Sequence, residues 1–194
     1  MNEVFFKIMK RILDVIYAGT MALLVCVPML IIAVLIKLTA RGPVLHWSDR
    51  IGKDNMVFQM PKFRTMRIDA PTVATHLLEN PPKYLTPFGR FLRRFSLDEL
   101  PQLWSVLKGD MSFVGPRPAL YNQDDLIEIR TKKGLHKLTP GITGWAQVNG
   151  RDNLTVYQKV ECDEFYMKNK SFFLDLKILH MTLFKVIKSD GVRH

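Results

Sequence analysis

Two adjacent carboxylates, Asp98 and Glu99, lie mid-chain just after a basic run. Arg93 precedes them, and a short apolar run that ends at Gly109 follows them. A carboxylate can attack phosphorus or bind a divalent metal, and neighbouring arginines can neutralise phosphate oxygens. The pair and its surroundings therefore predict phosphate chemistry that a divalent metal assists.

The same pair also permits a purely structural interpretation. Ser96 precedes Glu99 by three residues, which is the spacing of a capping box at a helix N-terminus. Pro101 weakens this interpretation, because with Ser96 as the cap it falls at the fifth helical position, where its missing N–H matters. In either case Asp98 lies at a helix N-terminus, where the helix dipole stabilises its charge. The residues alone leave both interpretations open.

Three further basic side chains are candidates for binding phosphate. Lys62 and Arg64 alternate along a segment and would share one face of it if the segment is extended. Arg117 lies between Pro116 and Pro118, and a guanidinium held in this way suits bidentate recognition of a phosphate. The alternatives are a solvated strand edge for the first two and a plain turn with an exposed arginine for the third.

Composition limits the class of protein. The 194 residues suffice for one domain with a core, and the hydrophobic content of 47% excludes a disordered chain. The net charge of +10 predicts an anionic partner such as nucleic acid, a membrane surface or a phosphorylated substrate. Cys26 and Cys162 are too few and too far apart in sequence to indicate a disulfide framework or a zinc site.

The elements that must position these residues begin with a membrane helix. From Ile12 to Leu38 the chain is nearly all apolar, with Asp14 and Lys37 as its only charges, and this run is long enough to span a bilayer. Pro28 predicts a kink near the middle of this run. Positive charge flanks the run on both sides, which favours a kinked helix that enters the membrane and returns; a spanning helix stays open. The flanking residues are Lys7, Lys10 and Arg11 before it and Arg41, Arg50 and Lys53 after it.

The rest of the chain predicts a small hairpin followed by helices. Residues 44–47 and 56–60 are short β-like runs separated by a turn segment, and 124–133, 156–170 and 172–187 have helical patterns. Residues 88–95 interleave aromatics with arginines, which is typical of a helix at a membrane surface. We therefore expect an α+β, mostly helical, membrane-associated monotopic domain, divided into a membrane helix over 1–40 and a catalytic part over 41–194.

Four motifs occur in order along the chain, and together they resemble the bacterial sugar transferase family, the monotopic polyprenyl-phosphate phosphoglycosyl transferases. The resemblance covers essentially the whole chain. The size of the chain is similar to that of the minimal members of the family, which carry only the catalytic domain. The motifs are Lys62–Met66, Ser96–Leu103, Lys108–Pro118 and Pro140–Gly144.

The resemblance implies an activity and a place in the cell. The family moves a phosphosugar from a UDP-sugar to polyprenyl (undecaprenyl) phosphate and releases UMP, as the first membrane step of bacterial glycoconjugate synthesis. It implies a re-entrant helix kinked at Pro28, although Val27 stands where the family has serine. It also implies a catalytic domain on the cytoplasmic face of the inner membrane, in contact with phospholipid, and no nucleic acid partner.

The resemblance also assigns roles to residues. It implies that Asp98 is the nucleophile, which forms a covalent aspartyl-phosphosugar intermediate, and that Glu99 binds Mg²⁺. The positions that match the family place Lys62 and Arg93 on phosphate groups and Arg117 on the nucleotide or its diphosphate. Arg151 matches in the same way, after a glycine-rich segment.

Two alternatives remain beside this reading. The same substrates could react by direct attack in a ternary complex, with Asp98 as a base. The charge and the apolar segments alone would also permit a non-catalytic, basic, membrane-anchored binding protein. No residue in the sequence selects one sugar or one oligomeric state.

Overall fold

The computed structural model describes residues 3–71, 81–150 and 153–188. Its α-helices are α1 (Glu3–Thr39), α2 (Pro81–Tyr84), α3 (Gly89–Arg94), α4 (Leu103–Lys108), α5 (Asp124–Lys132), α6 (Trp145–Val148), α7 (Val156–Asn169) and α8 (Phe172–Lys188). Its strands are β1 (Leu45–Ile51), β2 (Val57–Phe63), β3 (Ser112–Val114), β4 (Ala119–Leu120) and β5 (Gly141–Thr143). Short 3₁₀ turns cover Lys53–Asn55, Leu97–Gln102 and Leu135–Lys137. The expected α+β, mostly helical fold class is confirmed.

The predicted hairpin is present and is longer than the sequence indicated. β1 and β2 pair antiparallel from Leu45 opposite Phe63 to Ile51 opposite Val57, so that Lys62 belongs to a strand. Asp54 and Asn55 have positive φ and close the turn, a conformation that both residue types tolerate. β4 adds to the other edge of β1, and β3 and β5 form a separate parallel pair.

Helix α1 packs lengthwise against the rest of the protein. Ala18 and Ile36 are almost completely buried, and they belong to two different hydrophobic clusters, one at the middle of the helix and one towards its C-terminal end. The residues of α1 that pack on the body recur every three or four positions, which places them on one face. These residues are Phe6, Lys10, Asp14, Ala18, Ala22, Val25, Met29, Ile32 and Ile36.

The opposite face of α1 is apolar and exposed. Leu23, Leu24, Leu30 and Leu38 are each at least 66% exposed, and the exposed apolar side chains continue along the whole helix. Among the described residues, α1 is the one helix that is long and apolar enough to cross a membrane. A contiguous apolar surface of this length marks a surface that contacts lipid or another apolar partner.

Pro28 lies inside α1, and the helix continues through it to Thr39. The 37 residues of α1 extend over about 55 Å, well beyond the length that a bilayer span needs. Side chains of α1 pack on the rest of the protein at intervals along this length. No stretch of roughly 20 residues, the length of a transmembrane helix, is therefore without such contacts. The re-entrant geometry and the division into 1–40 and 41–194 stay predictions.

The C-terminal helices are confirmed close to their predicted bounds. α7 begins at a capping box in which the Thr155 hydroxyl accepts from the Gln158 backbone N–H and the Gln158 side chain accepts from the Thr155 N–H. α8 packs Ile178 into the core with Tyr166 and Val114, while Phe173, Leu183 and Phe184 stay exposed. The helix is therefore part core and part surface, as its mixed composition predicts.

Candidate active site

Asp98 and Glu99 lie on the 3₁₀ turn Leu97–Gln102, and apolar packing positions this turn. Leu97 and Leu100 pack into the cluster that contains Ile36 of α1, so that the turn is fixed against the membrane helix. Ser96 precedes the turn with a φ of 54°, a left-handed conformation that is uncommon for serine. Backbone outliers of this kind cluster at functional sites, where the surrounding packing holds them in place.

Glu99 is bound by two cations from distant parts of the chain. Lys62 Nζ donates to Glu99 Oε1 at 2.8 Å, and Arg117 Nη2 donates to the same oxygen at 2.7 Å. The Glu99 side chain is 11% exposed, so both interactions are largely shielded from water. The capping-box interpretation is wrong, because Ser96 makes no side-chain cap and the Glu99 carboxylate faces these cations.

Asp98 has different surroundings from its neighbour. Its side chain is buried, and burial raises its pKa above the ordinary aspartate value, against the opposing effect of Lys62. The Glu99 charge raises the pKa further, while Arg93 and Arg117 lower it. A desolvated carboxylate of raised pKa is more basic than one in water, and both a nucleophile and a general base benefit from that property.

Arg93 lies near Asp98, whereas Arg64 binds elsewhere. Arg93 Nε donates to Thr65 Oγ1 at 2.9 Å, and α3 can approach Thr65 closely because Gly89 has no side chain. Arg64 Nε donates to the Pro43 carbonyl at 2.9 Å. The structure thus brings Lys62, Arg93 and Arg117 together around Asp98 and Glu99, and it leaves Arg64 beside them. Arg151 lies outside the described residues.

Arg50 of β1 is a further cation of this site. Its Nε donates to Ser48 Oγ at 3.0 Å, and its Nη1 donates to the Pro118 carbonyl at 3.3 Å. Burial lowers the pKa of Arg50 to about 10; the charge of Arg117 lowers it further, and that of Glu99 opposes the shift. Sequence reasoning counted Arg50 as a flanking charge of the membrane helix. One sequence signal could have indicated this position. Arg50 lies four residues after His46, so the two share a face of the strand, and His46 is opposite Lys62 in the hairpin.

A buried ion pair positions the backbone of Arg117. Arg130 of α5 donates from Nη1 to the Arg117 carbonyl at 2.9 Å and from Nη2 to Asp163 Oδ2 of α7 at 2.6 Å. Asp163 is 2% exposed, so the pair is in the core. Close backbone packing fixes the same segment from the other side, since a Cβ on Gly144 would lie 2.1 Å from the Gly115 carbonyl oxygen. Arg117 is therefore presented to Glu99 from a rigid segment.

The acidic residues can accept a metal ion only together with other ligands. Within residues 3–71, 81–150 and 153–188, no group of three or more His, Cys, Asp or Glu side chains could hold one. Mg²⁺ is commonly held by one or two carboxylates, several waters and substrate phosphate oxygens. Asp98 and Glu99 fit that pattern, with the condition that Mg²⁺ at Glu99 competes with Lys62 and Arg117.

Comparisons with known proteins assign the chain to a sequence class. A family profile described as bacterial sugar transferase matches residues 5–189, which is nearly the whole chain. A protein named uncharacterized sugar transferase EpsL, from Bacillus subtilis (strain 168), is 43% identical over 190 residues, covering 96% of this chain and 91% of the relative.

Two longer relatives carry descriptive names. The UDP-glucose:undecaprenyl-phosphate glucose-1-phosphate transferase of Escherichia coli (strain K12) is 40% identical over 187 residues, covering 92% of this chain and 40% of the relative. The UDP-N-acetylgalactosamine-undecaprenyl-phosphate N-acetylgalactosaminephosphotransferase of Aeromonas hydrophila is 37% identical over 194 residues, covering 97% of this chain and 46% of the relative. The chain spans less than half the length of these two relatives.

Proposed function

Because the chain belongs to the bacterial sugar transferase family, we propose that it transfers a sugar phosphate from a UDP-sugar to polyprenyl phosphate and releases UMP. The names of two relatives, which give undecaprenyl phosphate as acceptor, support this reaction. Those names differ in the sugar, so the proposal names none. The observation that carries it is the buried Asp98 beside Glu99, with Lys62, Arg93 and Arg117 around them.

The site suits a two-step displacement at phosphorus. An Asp98 carboxylate oxygen forms a bond to the phosphorus that bears the sugar, while the bond from that phosphorus to the bridging oxygen breaks. UMP leaves with the electron pair on that oxygen. An oxygen of polyprenyl phosphate then attacks the aspartyl-phosphosugar, Asp98 leaves as a carboxylate, and polyprenyl-diphosphate-sugar is formed.

The cations are needed because the nucleophile and the substrate are both anionic. Lys62 and Arg93, two of the cations that oppose the raised pKa of Asp98, would neutralise the attacked phosphate. Glu99 would hold Mg²⁺, which supplies further neutralisation of the diphosphate when it is bound. Lys62 and Arg117 already bind Glu99, so they hold its carboxylate in place before any substrate arrives.

Direct transfer in a ternary complex is the second candidate mechanism. The raised pKa of Asp98 also suits a general base, because a base must take up a proton. The two mechanisms differ in one respect that can be measured: only the two-step displacement attaches the phosphosugar to the protein.

The experiment is a UMP-release assay against a panel of UDP-sugars, combined with trapping of a labelled phosphosugar. The wild type should release UMP only with the correct sugar and should carry label on Asp98 when polyprenyl phosphate is omitted. Asp98→Asn should lose both activities, whereas the control Asp125→Asn, on an exposed helix start, should keep both. UMP release without any label would favour the ternary complex, and an absence of UMP release would favour the non-catalytic alternative.

The exposed apolar face of α1 supports a place at the membrane. We assign the catalytic part to the cytoplasmic side of the inner membrane, because basic residues flank the apolar run on both sides. A re-entrant α1 fits the packing of this helix, since residues from Phe6 to Ile36 contact one and the same body.

A further inference from the structure

Arg50 is a shielded cation whose hydrogen-bond partners are neutral. Its two acceptors are the Ser48 hydroxyl and the Pro118 carbonyl. Within residues 3–71, 81–150 and 153–188, no carboxylate forms an ion pair with it, whereas Lys62, Arg117 and Arg130 each have one. The Glu99 charge acts on Arg50 without binding it. Taking a charge out of water without a directly bound counter-charge is costly, so a cation in this position indicates a site for an anion.

The place of Arg50 in the fold indicates which anion. Its guanidinium binds the carbonyl of Pro118, directly after Arg117, and Arg117 in turn binds Glu99. The charge of Arg117 lowers the pKa of Arg50, which agrees with this proximity, and Arg117 also lowers the pKa of Asp98. Arg50 therefore lies beside Arg117 in the cluster of cations around Asp98 and Glu99.

A nucleoside diphosphate sugar presents two phosphates to this cluster of cations. The proposed function requires Asp98 to face the phosphate that bears the sugar, together with Lys62 and Arg93. The other phosphate departs with the nucleotide and gains negative charge as the bridging bond breaks. Guanidinium groups bind phosphate oxygens in pairs of hydrogen bonds, and they stabilise charge where it develops.

Resting on that proposed function, we infer that Arg50 and Arg117 bind the phosphate that leaves with the nucleotide. Arg50 is therefore a substrate-binding residue on β1, a strand to which the sequence assigned no role in the site. Its contribution is to the donor and to the UMP product, and it makes none to the polyprenyl phosphate acceptor.

The test compares Arg50→Met and Arg50→Lys with Arg67→Gln, an exposed arginine of the same region that pairs with Asp69. The dissociation constant of UMP, the KM of the UDP-sugar and the KM of polyprenyl phosphate are measured for each variant. We expect Arg50→Met to weaken UMP binding about tenfold, raise the donor KM and leave the acceptor KM unchanged. Uridine, which lacks the phosphate, should bind wild type and Arg50→Met equally well. Arg67→Gln should match the wild type.

Folding is checked by the thermal midpoint without ligand and by its rise when UMP is added. Arg50→Lys keeps the charge and loses the planar fork, so it should fold and bind UMP with intermediate affinity. Unchanged UMP affinity in both Arg50 variants would overturn the inference, as would a rise in the acceptor KM instead of the donor KM. A different result would overturn the proposed function as well: a wild type that neither binds UMP nor releases it from any UDP-sugar.

Discussion

Asp98 and Glu99 are adjacent in sequence, yet the fold gives their carboxylates opposite energetic roles. Glu99 has two cations on one oxygen, so the folded state stabilises its charge. The loss of hydration at Asp98 disfavours its charge more than the neighbouring cations favour it, so its pKa is raised. One carboxylate holds the site together, and the other is kept in a reactive state at a cost in stability, as is common for catalytic groups.

We predict that the two neutralising substitutions shift stability in opposite directions. Asp98→Asn removes a charge that the fold disfavours, so the free energy of unfolding at pH 7 should rise by roughly 1 kcal/mol. Glu99→Gln leaves Lys62 and Arg117 without their shared carboxylate, and the free energy should fall by about 2 kcal/mol. Thermal unfolding in detergent measures both. Destabilisation by Asp98→Asn would contradict the desolvated state assigned to Asp98.

The pH dependence of the wild type follows from the same carboxyl group. Because the folded-state pKa of Asp98 is raised above 3.8, the folded protein binds this proton more tightly than the unfolded chain does. Its contribution to stability therefore falls as the pH rises through that folded-state pKa. The rate should rise over the same range, because only the ionised carboxylate attacks phosphorus. A profile of UMP release against pH, with unfolding at matched pH values, checks both signs.

At the scale of elements, the site depends on helices that contribute no group to the chemistry. α5 and α7 hold the backbone of Arg117 through Arg130 and Asp163. β1 and β2 supply Arg50 and Lys62 from one face of a hairpin, and the 3₁₀ turn supplies both carboxylates. Each element is short, so the precision of the site comes from the packing of the elements on one another.

Asp163→Asn tests this support, with Glu164→Gln as its matched control on the same helix. Loss of the Asp163 charge leaves Arg130 buried without its partner and should cost about 3 kcal/mol of stability. It should also raise the donor KM more than the acceptor KM, because Arg117 loses its backbone support. Glu164 pairs with Lys133 and Lys168 at the surface, so its replacement should leave stability nearly unchanged. Equal effects of the two substitutions would contradict the positioning role of Asp163.

At the scale of the whole molecule, α1 serves both as a wall of the core and as an apolar outer surface. Polar contacts anchor its first half: Lys10 pairs with Asp175, Arg11 donates to the Val106 and Leu107 carbonyls, and Asp14 accepts from the Phe113 N–H. Its second half packs on Leu97 and Leu100, the neighbours of Asp98 in the 3₁₀ turn. The candidate nucleophile is therefore fixed directly against the long apolar helix.

This packing predicts that both ends of α1 lie on one side of the membrane. In a background of Cys26→Ser and Cys162→Ser, single cysteines at Glu3 and Arg41 should react with an impermeant maleimide added to the same side of sealed vesicles. Asp125→Cys, which is exposed on the body, reports the side of the catalytic part. Labelling of the two ends from opposite sides would show that α1 spans the bilayer.

Much of the fold was predictable because its signals are local. The apolar run of α1, the hairpin around residues 52–55, α5, α7 and α8 each follow from periodicity, turn residues and helix limits within one segment. The family was predictable from the order of four short motifs, and the comparison with known proteins confirms it. The capping-box alternative stayed open in the sequence because Ser96 and Glu99 have its spacing, whereas in the structure tertiary cations bind the Glu99 carboxylate.

The sequence by itself determined the carboxylate pair, the long apolar helix and the family, since residue type and short-range spacing encode all three. Only the tertiary structure decided which cations meet Glu99, because Lys62 and Arg117 lie 37 and 18 residues away along the chain. It alone placed Arg50 in the site, paired Arg130 with Asp163 and laid α1 along the body. These contacts join residues that are distant in sequence, and they form only when packing brings separate elements together. The spacing of residues along the chain does not encode that packing.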